Sequence, residues 1–100
     1  MSDKPQQQQP VQVQIEIDPV TANGVFVNFA MVNHTETEFT LDLLYLQPQA
    51  PRATVRARAS LTPKHMKRLL LAMQENLGKY EKTFGTLDVG QGPHFPAALA

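Results

Sequence analysis

The chain of 100 residues contains no cysteine and no tryptophan. Without cysteine there can be no disulfide, no thiolate nucleophile and none of the usual thiolate-held zinc sites. Charge of one sign is also lacking: nine basic and nine acidic residues cancel, leaving a formal charge of zero. No whole-protein field therefore draws the chain toward nucleic acid or a membrane surface. Apolar runs stay far short of the ~20 residues needed to span a bilayer. The opening, Met1 to Pro10, is polar and glutamine-rich, unlike a signal peptide. A cytoplasmic protein with no membrane partner is the expectation. The five glycines are scattered, so no loop is built to cradle a phosphate.

What is present is most explicit between Thr62 and Gly85, where both ends of a helix are written out. Thr62 suits the N-cap, Pro63 the first helical position, and Leu61 can reach Met66 as a hydrophobic staple. Gly85 supplies the backbone freedom needed at the far end. Between them Met66, Leu70, Met73, Leu77, Tyr80 and Phe84 recur at spacings of 4, 3, 4, 3 and 4, a heptad seam widened by Leu69 and Leu71. The seam must be covered, either by the chain's own sheet or by a second copy.

Four strands precede the helix. Val11, Val13, Ile15 and Ile17 alternate with Gln12, Gln14 and Glu16, a half-buried strand stopped by Asp18-Pro19. After the Asn23-Gly24 turn, Val25 to Val32 is apolar on both sides, as in a central strand. Glu38 to Leu46 aligns Phe39, Leu41, Leu43 and Tyr45 inward. Ala53 to Ser60 places Val55, Ala57 and Ala59 inward, with Arg56 and Arg58 outward. The predicted fold class is α+β, a four-stranded antiparallel β-sheet followed by one long C-terminal α-helix (ββββα). The helix is expected to cross one face of the sheet, close to Ala57 and Ala59.

Residues 1–10 read as a disordered Gln/Pro-rich tail, 11–85 as a single domain and 86–100 as a flexible tail. About 75 residues then form the core, a size at which one core supplies only ~3–5 kcal/mol. Dimerisation is expected to supply the missing burial.

Several short motifs occur in a fixed order: Val25-Phe-Val-Asn-Phe, then His34-Thr-Glu-Thr-Glu-Phe-Thr-Leu-Asp42, then Gln47-Pro48. Leu61-Thr-Pro-Lys-His-Met-Lys-Arg-Leu-Leu and Gln74-Glu-Asn-Leu-Gly-Lys-Tyr-Glu-Lys-Thr-Phe-Gly85 follow. Together, from Asn23 to Gly85, they resemble the bacterial family known as domain of unknown function 3467. The resemblance implies a small bacterial protein and brings no activity or catalytic residues with it. The element order alone also resembles that of Whirly and Pur-type single-strand binders, a likeness of topology without a shared motif.

Little in the sequence points to catalysis. His34, His65 and His94 share no ligand spacing, and the grouping of His34 with Glu36 and Glu38 reads more simply as a solvated hairpin tip. Ser2 and Ser60, the only serines, lie in no nucleophile motif. No catalytic residue, metal or cofactor is expected.

The clearest functional signal is charge placement. No Asp or Glu lies between Asp42 and Glu75, a stretch holding Arg52, Arg56, Arg58, Lys64, Lys67 and Arg68. Cations in the first turns of a helix oppose its dipole by ~0.3–1 kcal/mol each. The block therefore reads either as a site for phosphates or an acidic partner, or as a face whose arginines are neutralised by Asp42 and Glu38. The sequence points to a non-enzymatic homodimeric interaction or adaptor module that docks to another macromolecule, an unidentified protein. The alternative is a dimer binding single-stranded DNA or RNA through the basic block.

Overall fold

The computed structural model of the protein describes residues 11–90. Its elements are a short helix α1 (Pro19–Ala22), strands β1 (Phe29–His34), β2 (Phe39–Gln47) and β3 (Arg52–Leu61), and a long helix α2 (Pro63–Phe84). The strands form one antiparallel meander in the order β1-β2-β3. The chain is α+β, a three-stranded antiparallel sheet followed by a C-terminal helix. The tail expected at 1–10, and the part of the one expected at 86–100 that follows residue 90, lie outside the described residues.

α2 begins and ends where its sequence signals stand. Thr62 is extended, its Oγ1 accepts a hydrogen bond from the His65 amide at 3.1 Å, and Pro63 occupies the first helical position. Gly85 closes the helix at φ +104°, a backbone state that excludes side-chain-bearing residues. Beyond it, the Glu81 carboxylate accepts from the Leu87 amide at 2.9 Å, tying the segment after Gly85 to the last turn.

Three expectations are corrected. The first concerns the helix, which does not lie across the sheet or against Ala57 and Ala59; its contacts with every strand are marginal. The reason is local. β3 ends at Leu61 and α2 starts at Pro63, so one residue, Thr62, separates them. One residue is too little chain to fold a helix back over the strand it leaves.

The second correction concerns the first strand. Residues 11–17 join no ladder, so the sheet has three strands among the described residues. Asp18-Pro19 starts a helical turn instead of a hairpin. The Asp18 carboxylate caps α1, accepting from the amides of Val20 at 3.0 Å and Thr21 at 3.1 Å. Its bond from the Thr21 hydroxyl, with these amide bonds, holds its pKa below the ordinary value. Gly24, at φ +73°, then turns the chain.

The third correction concerns β1, which begins at Phe29 rather than Val25. Asn28 ends the ladder by pairing through its side chain: Oδ1 accepts from the Leu46 amide at 2.7 Å and Nδ2 donates to the Leu46 carbonyl at 3.1 Å. Its own amide still donates to Leu44. The side chain occupies the place a following backbone would take, and the residues before it leave the strand.

The faces of the sheet are set by a β-bulge. Leu43 is opposite Ala57 but Leu44 is opposite Val55, leaving Arg56 as the extra residue. Val55 therefore joins Leu44, Asp42 and Arg58 on one face, while Ala57 and Ala59 share the other with Leu43 and Leu41. The expected inward set of Val55, Ala57 and Ala59 is thus divided. Phe29, opposite Leu44, likewise lies across the sheet from Phe39 and Tyr45.

Only Asp42, Leu44 and Leu61 are buried among the described residues, and two of them lie on the face of β2 expected to point outward. They are buried because β2 alone has strands on both sides. Replacing Asn28 with Ala should lower stability by about 1 kcal/mol in urea unfolding at fixed protein concentration, through loss of the Leu46 bridge.

Candidate interaction site

The basic block does not form one patch. Arg58 faces Asp42 directly across β2 and β3, with Nε 2.7 Å from Oδ1 and Nη2 3.0 Å from Oδ2. This two-bond fork compensates a carboxylate that is only 2% exposed. The Arg58 hydrogen bonds hold the Asp42 carboxyl below its ordinary pKa, against desolvation, which pushes it up. Neutralisation of Arg58 by Asp42 is thus the arrangement present; Arg56 has a different partner.

The bulge carries Arg56 to the opposite face, where its guanidinium carbon stands 5.0 Å from the centre of the Tyr45 ring. Phe26 meets the same ring edge-on, with centroids 6.0 Å apart. Phe26 is exposed, and Arg52 is opposite Gln47 at the same end of the sheet. The result is a small surface on which one aromatic pair and one guanidinium lie together. Sequence alternation alone places Arg56 beside Arg58 and misses this cluster, because a bulge leaves no unambiguous mark in composition.

Lys64, Lys67 and Arg68 are exposed on the first turns of α2, with no acidic residue in the first turn and no ion pair among the described residues. A 280 Å³ groove at the junction of β3 and α2 is lined by Thr37, Glu38, Ser60, Leu61 and Thr62. Its one ionised lining residue is a carboxylate, a poor setting for an anion. His34 stacks on Phe39, with centroids 5.3 Å apart. No group of three His, Asp or Glu side chains is placed to hold a metal ion among the described residues.

The seam is the larger surface. Met66 and Leu69 are half-buried near the sheet. Beyond them Leu70, Met73, Leu77, Tyr80 and Phe84 are exposed, from 46% at Tyr80 to 72% at Phe84. The Tyr80 and Phe84 rings pack on each other one turn apart, at 4.9 Å between centroids. Leu71 is also exposed. The stripe runs along a helix of ~33 Å and has the heptad spacing of a coiled-coil seam.

The family model described as Protein of unknown function (DUF3467) matches residues 1–89. The chain belongs to this family. No curated protein and no solved structure matches the chain. The match takes in α1, the sheet and α2, and so covers both the seam and the basic residues. No helix among the described residues is long and apolar enough to cross a membrane.

Because the folded Asp42 carboxyl titrates below its unfolded value of ~4, its contribution to stability is present above that pH and lost as pH falls through the lowered folded value. Urea unfolding should find Asp42→Asn less stable than the wild type at pH 7. That difference should close as the pH is taken below ~4.

Proposed function

We propose that this DUF3467 chain is a non-enzymatic homodimeric interaction module whose apolar core is completed by a second copy. The observation that carries this reading is the exposed seam of Leu70, Met73, Leu77, Tyr80 and Phe84 on a helix whose contacts with its own sheet are marginal. It is supported by the rest of the surface. Val11, Val13, Ile15 and Ile17 are exposed as well, with Ile15 at 87%, while Leu44 and Leu61 are the only buried apolar residues among those described.

Magnitude decides between a free monomer and an assembly. Fully burying a large apolar side chain contributes about 1.5–3 kcal/mol. Covering half of the seventeen exposed large apolar side chains would contribute on the order of 10 kcal/mol. That is comparable with the whole net stability of a domain. In the dimer, α2 meets its equivalent along the seam, and residues 11–17 enter the assembly as the fourth strand. The completed dimer then offers its polar and basic surfaces to another macromolecule, a protein.

Sedimentation tests this reading. The wild-type chain should sediment as a dimer at micromolar concentration. Leu77→Lys with Tyr80→Lys should weaken the dimer by about a hundredfold or more, since two buried anchors are lost. A compact, stably folded wild-type monomer under those conditions excludes the module as described.

A second reading, binding of single-stranded nucleic acid, draws support from the Arg56, Tyr45 and Phe26 cluster. Exposed aromatics beside guanidinium groups are what base stacking and phosphate contact require. Arg52, Lys64, Lys67 and Arg68 add uncompensated positive charge, whereas Arg58 is committed to Asp42. If this reading holds, single-stranded DNA or RNA binds with an affinity that falls steeply between 50 and 200 mM salt. Arg52→Ala with Arg56→Ala should then reduce the salt slope, while no binding at the lower salt removes the reading.

A further inference from the structure

We infer that the segment Val11 to Ile17 of one copy adds as a strand to the outer edge of β1 in the other copy. This inference rests on the homodimer reading and specifies one of its contacts. Residues 11–17 have the alternating pattern of a strand, are exposed along their whole length, and join no ladder. Val11, Val13, Ile15 and Ile17 would fall on one side, Gln12, Gln14 and Glu16 on the other. Such a pattern suits the outermost strand of a sheet with one covered face.

Among the described strands β1 and β3 form the two edges of the sheet, and they differ in chemistry. β3 carries Arg52, Arg56 and Arg58 and is kinked by the bulge at Arg56. Charge and bulges are the devices that keep an edge from pairing with another chain. β1, Phe29–His34, has no Lys, Arg, Asp, Glu or Pro and no bulge. Its residues are apolar on both faces, with Ala30 and Val32 on one side and Met31 on the other, as in strands flanked by neighbours on both sides. A strand composed for the middle of a sheet lies at its margin. Seven residues of the extended segment match the six of β1 in length.

The occupant is a second copy because of where the chain's own segment starts. Val20, Thr21, Gly24 and Val25 line a 410 Å³ groove with Arg56 and Ala57 of β3. Phe26 crosses over Tyr45 of β2 on the way. The chain thus leaves β1, passes over β2 and reaches β3 before the extended segment begins. That origin is two strand spacings, ~10 Å, from the edge in question. α1, capped by Asp18 and followed by the Gly24 turn, fixes this route. The extended segment is therefore delivered on the side away from its own β1.

Because the full chain has no cysteine, single-cysteine variants report this contact without background. Val13→Cys would be mixed in turn with Ala30→Cys, Met31→Cys, Val32→Cys and Asn33→Cys, then oxidised mildly, alongside a Val13→Cys and Thr54→Cys control. Cross-strand neighbours lie within the 4.4–6.8 Å Cα separation that a disulfide requires. The expected result is a mixed disulfide with at least one β1 position and none with Thr54→Cys. Single-cysteine chains cannot report pairing within one chain. A mixture that sediments as a dimer yet gives no β1 disulfide, or one with Thr54→Cys alone, overturns the inference and leaves the helix seam as the dimer contact. Sedimentation as a monomer overturns both. As an independent measure, Ile15→Pro should raise the dissociation constant of the dimer about tenfold, by removing a ladder donor. An unchanged constant counts against the added strand.

Discussion

Ordering a backbone costs roughly 1–2 kcal/mol per residue, and only removal of apolar surface from water offsets a cost of that size. In this chain the offset is incomplete. Among the described residues, Leu44 sits beneath its neighbours on the central strand and Leu61 lies at the junction of sheet and helix, while the remaining large aliphatic and aromatic side chains stay partly or fully open. The shortage of burial within one copy is the constraint to which the exposed helix stripe, the unpaired extended segment and the unguarded β1 edge all refer. Each is a surface whose composition anticipates a neighbour.

The way β3 passes into α2 explains why the shortage arises. With Thr62 as the sole connector, strand and helix are nearly continuous, and the helix makes only marginal contact with the sheet. The same residue caps the helix, so the feature that stabilises α2 locally also denies it a packing surface in its own chain. A longer loop would have permitted a self-contained two-layer domain. In its absence the seam of α2 stays exposed.

Much of this architecture was legible in the sequence, because its signals are local. The boundaries of α2 follow from Thr62, Pro63 and Gly85, and β2 and β3 follow from alternation bounded by polar or proline-containing turns. The salt bridge between Asp42 and Arg58 was foreseen as one way to neutralise the basic block. Other features were hidden because they depend on contacts distant in sequence. Asn28 ends β1 by bonding to Leu46, eighteen residues away. The position of the helix depends on how little chain joins it to β3. α1 carries a readable signal in Asp18-Pro19, an N-cap followed by a first-turn proline, but four residues make a weak helical pattern and the same pair also reads as a strand stop.

The extra residue in β3 has a consequence for how charge is estimated from a sequence. Arg56 and Arg58 stand two apart and would be summed onto one side of an ideal strand, yet one lies over Tyr45 and the other is fastened to Asp42 across the sheet. The charge of Arg58 is largely cancelled on its side, while Arg56 shares the other side with Arg52, opposite Gln47. A tally of positive residues along a strand thus overstates the field that any approaching anion would feel.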